Sequence, residues 1–233
     1  MSASIVYAPV VSAVFLCRLN RFTAKVLLDE QEEMIHVMNT GRLGELLLPG
    51  TKVMLHAARN PSRKTRWDLI SVHTDSLGWV NLDSLAPNHL MRDFYASGGY
   101  DIVRPEYTYG ASRLDFYLEK NGRPCMTEVK GCTLAMAERP GIGLFPDAPT
   151  ERGVRHLHEL GEAAAEGYEA TLAFVLQMNG IHTVLPNRLT QPAFAQALTA
   201  AVHSGVRVQC FSCDVNADRI TLKDGQDTTD LYL

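Results

Sequence analysis

Short apolar runs separated by polar turns fill the first third of the chain. They lie at about residues 12–19, 22–29, 33–39, 51–58, 67–74 and 78–82. Polar turns such as residues 29–33 and Pro49-Gly50 separate them. Five or six strands this short and this closely spaced are typical of a small barrel or sandwich. We therefore expect residues 1–84 to form an OB-like β-barrel domain, a fold whose usual ligands are oligonucleotides or oligosaccharides.

The rest of the chain alternates between helical and extended patterns. Helices are predicted from Leu85 to Ala96, from an N-cap at Thr150 to about Gly167, and from a cap at Thr190 through His203. Strands are predicted at 170–177, 206–213 and 219–222, and residues 131–149 form a long irregular loop. Together with a hairpin, these elements predict a second domain at residues 85–233, an α/β layer of mixed sheet and helices.

The hairpin is centred on Asn121-Gly122, which lies between two runs of alternating residues. Asn-Gly favours a two-residue turn because both central residues of that turn need a positive φ. In this register the numbers of paired residues sum to 243, so Asp115 lies opposite Glu128 and Arg113 opposite Lys130.

Side chains alternate between the two faces of a strand, so the hairpin has a charged face and an apolar face. The charged face carries Arg113, Asp115, Tyr117, Met126, Glu128 and Lys130. Two carboxylates about 5 Å apart repel each other, whereas Mg²⁺ or Mn²⁺ between them would reverse the sign of that interaction. The alternative is an exposed face of solvated charges, with Asp115 paired to Arg113 or Lys130.

Composition places the chain among ordinary globular proteins, with 46% hydrophobic and 21% charged residues. No apolar run approaches the roughly 18 residues of a membrane span, and the first residues lack the basic segment of a signal peptide. We therefore expect a cytoplasmic protein. Five cysteines at irregular spacing argue against a disulfide framework.

The net charge of −4 is unevenly distributed. Residues 1–90 hold 9 Lys/Arg and 8 Asp/Glu, a balance of +1, and residues 91–233 hold 13 and 18, a balance of −5. Within the first part, Arg59, Arg63, Lys64 and Arg66 precede Trp67. This cluster is suited to a phosphate backbone, and a solvated loop is an equally good interpretation.

The predicted helix after Thr150 carries a polar stripe of Arg152, His156 and Glu159 on one face, with Arg155 beside it. If this helix packs on the hairpin, Arg152 and His156 approach the two carboxylates. Otherwise the stripe is a solvated helix surface.

Several ordered motifs carry a resemblance to a known family. Asp115 followed on the neighbouring strand by Glu128-Val129-Lys130 resembles the signature of the PD-(D/E)xK nuclease-like superfamily. Over about residues 12–222 the chain resembles the sugar fermentation stimulation protein A (SfsA) family. The segments that carry this second resemblance are 39–42, 60–67, 112–116, 128–134 and 145–153, with His156-Leu157 after them. Met38, Asn81–Ser84 and the elements near 177 and 191 depart from the family pattern.

The family resemblance implies an OB-like domain, a nuclease-like domain, DNA binding with little sequence preference, and a role in regulating sugar (maltose) metabolism genes. It assigns Asp115, Glu128 and Lys130 to a catalytic triad, the two acids also being ligands of Mg²⁺ or Mn²⁺. Candidate DNA contacts are Arg42, Arg59, Arg63, Lys64, Arg66 and Arg113, and candidate supporting residues are Glu106, Arg152 and His156.

Three functions remain open from the sequence. The first is a metal-dependent DNA phosphodiesterase, and the second is a DNA-binding regulator that keeps the nuclease-like frame without turnover. The third, an oligosaccharide binder, is disfavoured because the chain has only two Trp residues.

Overall fold

The computed structural model of the chain describes residues 3–58, 60, 62–110 and 112–233. The predicted cation Arg59 lies outside these residues. The described part forms two β-structures, a barrel and a large mixed sheet, with helices on both faces of the sheet. None of the helices in the described ranges is long and apolar enough to cross a membrane.

The barrel follows a short first strand, β1 (Ser4–Val6). Its strands are β2 (Val10–Asn20), β3 (Thr23–Leu28), β4 (Gln31–Val37), β5 (Lys52–Ala57), β6 (Trp67–Thr74) and β7 (Gly78–Asn81). They are ordered β4-β3-β2-β5-β6-β7, and a parallel pairing of β4 with β6 closes the barrel. Alternate residues such as Ala13, Phe15, Ala24 and Val26 fill its interior. The predicted OB-like barrel is confirmed.

The large sheet has the order β1-β16-β15-β13-β10-β9-β8. Its other strands are β8 (Ile102–Tyr109), β9 (Ser112–Lys120), β10 (Arg123–Cys132), β13 (Glu169–Leu176), β15 (Arg207–Asn216) and β16 (Arg219–Asp227). β10, β13 and β15 are parallel and the outer pairs are antiparallel. The mixed sheet that the sequence predicts is therefore confirmed, and β1 belongs to this sheet rather than to the barrel.

Helices cover both faces of the large sheet. Helix α1 (Ala86–Ser97) packs with Phe116, Leu118 and Val129 on one face. Helices α2 (Glu151–Ala165) and α3 (Pro192–His203) pack on the opposite face, over residues such as Leu172 and Phe174. The Thr150 cap of α2 is confirmed, since the Gly153 amide donates to its hydroxyl at 2.9 Å. The predicted Thr190 cap is wrong because Gln191 occupies the N-cap position of α3, without a side-chain capping bond.

The hairpin register is as predicted from Lys120↔Arg123 to Phe116↔Thr127, where each pair sums to 243. The ladder ends there, so the predicted pairs Asp115↔Glu128 and Arg113↔Lys130 are not part of it. The prediction of an exposed charged face is wrong for two of its residues. Met126 and Glu128 are buried because α2 packs against β10 and covers that side of the sheet.

Several strands were not predicted. The expected loop at 131–149 contains β11 (Leu134–Ala135) and β12 (Ile142–Phe145), which form a small sheet with β14 (Thr183–Pro186). β8 escaped prediction because it is an edge strand with mostly polar, exposed residues at its centre. β16 extends to Asp227, five residues beyond its predicted end at 222.

A buried polar network joins the barrel to the large sheet. The Gln177 amide nitrogen donates to the Asn81 side-chain oxygen at 2.8 Å and to the Asp83 carbonyl at 2.9 Å. The Tyr7 hydroxyl donates to Asp83 at 2.9 Å. Buried polar networks of this kind specify one arrangement when every member is satisfied. The end of β7 and the end of β13 are therefore held together.

Candidate functional site

Asp115 lies where β9 and β10 begin to separate. Its Oδ2 accepts a hydrogen bond from the Val129 amide at 2.8 Å. The carboxylate thus takes the place of a backbone acceptor of β9 in the pairing with β10. Its Oδ1 accepts from the Asn88 side chain on α1, also at 2.8 Å. Two fixed donors therefore set the direction of this carboxylate, and one of them comes from a residue that sequence reasoning did not single out.

Glu128 is buried, with 2% of its surface exposed. Its Oε1 accepts from Lys130 Nζ and from His156 Nδ1. Its Oε2 is buried and has no hydrogen-bond partner in the described part of the chain. A buried carboxylate oxygen without a partner is rare in folded proteins, and a bound ion or water is one of its few explanations.

His156 connects Glu128 to Arg152. Arg152 Nε donates to His156 Nε2 at 3.2 Å, so Nε2 is the acceptor nitrogen of the ring. The proton of a neutral imidazole then lies on Nδ1, which donates to Glu128. The structure thus brings Arg152, His156, Glu128 and Lys130 into one hydrogen-bonded group. Arg155 lies beside them and donates instead to the Ser112 hydroxyl at 3.1 Å.

The pKa values of the two carboxyl groups shift in opposite directions. Burial, and then the charge of Glu128, raise the pKa of Asp115 above its usual range. Burial also acts to raise the pKa of Glu128, but Lys130 and His156 outweigh it and the net shift is downward. Neighbouring acids with divergent pKa values are a common feature of catalytic sites.

The residues present fit a hard divalent cation. Glu128 Oε2 is free, and each Asp115 oxygen accepts one hydrogen bond and keeps a further lone pair. Throughout the described ranges, no group of three or more His, Cys, Asp or Glu residues is arranged to hold a metal ion. The two carboxylates would therefore be supplemented by backbone, water or phosphate oxygens, as is usual for Mg²⁺.

A cleft of about 750 Å³ separates the barrel from the second domain and begins beside Lys130, at Gly131 and Thr133. The barrel side is formed by residues 18–21 and 39–42, and the other side by residues 144–150. Arg18 shapes this cleft because it donates to the carbonyls of Asn39, Gly41 and Arg42 at 2.6–2.8 Å.

Arg42 joins the two domains across the cleft. Its Nε donates to the Asp147 carbonyl at 2.7 Å, and Nη2 donates to the Thr190 hydroxyl at 3.0 Å. The Asp147 side chain in turn accepts from the Leu43 amide at 3.0 Å. The structure therefore places Arg42 in a structural contact, although its side chain remains 62% exposed.

Two cations of the basic loop are engaged in ion pairs, which its sequence does not indicate. Arg63 makes a two-point contact with Asp68, at 2.9 and 3.2 Å, and Arg66 is paired with Glu33. Lys64 is exposed, and no ion pair involving it occurs within the described residues. Arg113, on the second domain, pairs with Glu106 at 2.9 Å, and both side chains are exposed. These two residues therefore do not reach Asp115.

The fold defines a class of protein, an OB barrel joined to a domain of mixed sheet flanked by helices. Family models match these two parts of the chain. The SfsA N-terminal OB domain matches residues 16–82, and the sugar fermentation stimulation protein RE domain matches residues 84–219.

The chain belongs to the sugar fermentation stimulation protein family. It is 45% identical to the sugar fermentation stimulation protein homolog of Desulfitobacterium hafniense (strain DSM 10664 / DCB-2), covering 94% of this chain and 95% of the relative. The homolog of Ruminiclostridium cellulolyticum is 42% identical, with 93% and 96% covered. The fold also matches the solved structure of Pyrococcus furiosus SfsA in complex with Ca²⁺, with a TM-score of 0.86, 24% identity and 97% of both chains covered.

Proposed function

We propose that the chain binds DNA with little sequence preference along the barrel and the adjoining cleft. OB folds bind oligonucleotides on the face of their second and third strands and with the loops after the first and fourth strands. In this barrel those parts are β3, β4, residues 21–22 and the described residues between β5 and β6. The observation that carries the proposal is that Arg63, Lys64 and Arg66 lie in the second of these two loops.

The other loop offers an aromatic ring. Phe22 is 51% exposed, and the Arg21 guanidinium lies 5.9 Å from its ring centroid. Exposed Leu27 and Met34 lie on the adjacent strands β3 and β4. Stacking platforms flanked by cations bind single-stranded nucleic acid without base-specific readout. Arg21 also lines the cleft, so this surface continues toward Lys130.

Replacing Phe22 with alanine is expected to weaken binding of mixed-sequence single-stranded DNA roughly tenfold, since one base stacked on an aromatic ring contributes about 1–3 kcal/mol. Fluorescence anisotropy with a labelled oligonucleotide measures this change. Leu231→Ala is the matched control, because Leu231 is 55% exposed and lies at the opposite end of the chain. Equal affinity of the Phe22 and Leu231 variants would remove the loop from the interface.

Binding is also expected to weaken steeply with salt. Arg66 is 73% exposed, so its ion pair with Glu33 contributes little and exchanges readily for a phosphate contact. Arg66→Gln should reduce the slope of log K against log salt by about 1, whatever the DNA sequence. Arg219→Gln, an exposed position on β16, is the control. An affinity that stays flat from low to moderate salt would contradict phosphate-dominated binding.

We also propose a second function, hydrolysis of phosphodiester bonds at Asp115, Glu128 and Lys130. The observation that favours it is the unpartnered Oε2 of Glu128 together with a second fixed carboxylate, Asp115, whose pKa the charge of Glu128 raises. The Pyrococcus furiosus relative was solved with Ca²⁺, a cation that prefers the same oxygen ligands. Mg²⁺ or Mn²⁺ bound by the two acids would polarise a scissile phosphate and lower the pKa of a bound water.

The chain's own residues have separate tasks in this proposal. Val129 and Asn88 orient Asp115, and His156, held by Arg152, orients Glu128. Lys130 contacts Glu128 and is 16% exposed, and the next residue, Gly131, lines the cleft. The Lys130 ammonium is thus proposed to stabilise charge on a phosphate bound there. A regulatory role in sugar metabolism requires DNA binding alone, whereas hydrolysis also requires Asp115. A cleavage assay with wild type and an Asp115 variant therefore separates the two.

A further inference from the structure

A second cavity, of about 460 Å³, lies on the α1 face of the large sheet. Thr127 lines it, and the next residue, Glu128, points to the opposite face because side chains alternate along a strand. Helix α1 ends at Ser97, and its last turn contributes Tyr95 to the cavity wall, followed by Tyr100. Among the described residues, neither carboxylate and none of the residues lining the cleft lines this cavity.

The floor of this cavity is polar although it is buried. Thr127 and Thr171 face each other across β10 and β13, with 0% and 5% of their surfaces exposed. Their hydroxyls contact Cys125 Sγ at 3.7 and 3.9 Å, and the Thr127 hydroxyl also has a hydrogen bond with Tyr95. Gln209 adds an amide from β15. Hydroxyls and an amide can both donate and accept hydrogen bonds, which suits a ligand that carries hydroxyl groups.

The rim of the cavity is positively charged. Lys120, Arg123 and Arg207 surround it with one acid, Glu169, a local balance of +2 within a domain whose balance is −5. Glu169 is occupied mainly by Arg207 at 2.7 Å, whereas its contact with Arg123 is 4.0 Å long. Arg123 is 79% exposed. Its guanidinium therefore keeps donors for an anion at the mouth.

We propose that this cavity binds a phosphate monoester of a small sugar. Its volume falls within the range of small-molecule sites, about 300–1,000 Å³. The arginines and Lys120 match a phosphate group, and Thr171 and Gln209 match sugar hydroxyls. A free sugar phosphate and a nucleoside monophosphate share this chemistry. In the second case the base would lie against Tyr100, whose ring already contacts the Lys120 ammonium at 5.2 Å.

Isothermal titration calorimetry on the full chain tests the proposal with ribose 5-phosphate, glucose 6-phosphate, AMP, glucose and inorganic phosphate. At least one ester is expected to bind more tightly than both glucose and inorganic phosphate. Arg123→Gln should weaken binding of that ester roughly tenfold, as expected for loss of a charge-assisted hydrogen bond. Thr171→Val keeps the shape of the cavity floor and should weaken binding of the ester several-fold. Arg219→Gln should leave the affinity for the ester unchanged.

The comparison of AMP with the two sugar phosphates identifies the source of the ligand. Equal affinity for inorganic phosphate and every ester would overturn the proposal, as would the absence of ester binding. Ester binding that neither Arg123→Gln nor Thr171→Val weakens would also overturn it. Because Arg123 is exposed, its variant is expected to fold normally, which thermal unfolding checks. DNA binding by both variants should equal that of the wild type, since the two surfaces are separate.

Discussion

Replacing Asp115 with asparagine is expected to reduce Mg²⁺- or Mn²⁺-dependent DNA cleavage by more than about a hundredfold. Loss of a residue that merely orients a metal ligand costs about 10- to 100-fold, and Asp115 is proposed as a ligand itself. Asparagine keeps an oxygen that can accept from Val129, so the β9–β10 junction should persist. DNA affinity should stay the same or rise, because one negative charge near the phosphates is removed.

Thermal unfolding provides a readout that is independent of cleavage. The folded pKa of Asp115 is raised, mainly by burial, so its ionisation costs stability: the loss grows as the pH rises above the unfolded pKa and is complete above the folded pKa. Asparagine removes this penalty, and the variant should not be less stable at neutral pH. Ca²⁺ or Mn²⁺ should raise the Tm of the wild type but not that of the variant. Because the proposed ligand Asp115 binds a cation in its ionised form, cation affinity is expected to rise as the pH increases through the pKa of Asp115.

Asp93→Asn is the matched control for this experiment. Asp93 is an acid on the exposed side of α1, paired with Arg92 at 3.0 Å and 48% exposed. Its variant should cleave DNA and bind cations as the wild type does. If Asp115→Asn retained wild-type cleavage, the hydrolytic function would be excluded. Loss of cleavage together with an unchanged cation-induced rise in Tm would place the metal elsewhere.

Replacing Gly131 with alanine is expected to lower the free energy of unfolding by about 3 kcal/mol. A Cβ at this position would lie 2.3 Å from Gln177 Oε1 and 2.8 Å from Pro87 Cγ. Gln177 has no free direction in which to move, because its amide nitrogen donates to Asn81 and Asp83. The added methyl group would therefore displace α1 or break the network that joins the barrel to the sheet.

Urea denaturation followed by fluorescence measures this loss, and Gly44→Ala is the control. A Cβ at Gly44 meets no atom within 4 Å, and its φ is outside the left-handed region, so its substitution should change stability by less than about 0.5 kcal/mol. A loss below about 1 kcal/mol for Gly131→Ala would show that Gln177 is replaceable at the domain junction.

The sequence alone predicted the features of the fold that depend on local patterns. Alternation and turn residues predicted the barrel, and Asn121-Gly122 predicted the hairpin register, because both depend on neighbours in the chain. Thr150 was recognised as a cap because capping involves only the next three residues. The acidic residues Asp115 and Glu128 were chosen from that register and from the family resemblance.

Contacts between distant segments could not be predicted in this way. Asn88 holds Asp115 from 27 residues upstream, and Arg42 meets Asp147 from 105 residues away. No spacing rule links such pairs. The same limit explains why the contact of Arg42 across the cleft was not predicted and why Glu128 was expected on a charged surface. Its burial depends on α2, which a strand pattern cannot show.

The pairing of β1 with β16 has a mechanical consequence. β1 lies in the large sheet, the barrel follows it, and the chain then returns to the sheet, so two connections join the barrel to the sheet. Two connections restrict rotation of the barrel more than one linker would, and we expect the width of the cleft to change little under the proposed DNA binding. A fragment beginning at residue 84 would lose this strand and leave β16 as a bare sheet edge, which is prone to aggregation.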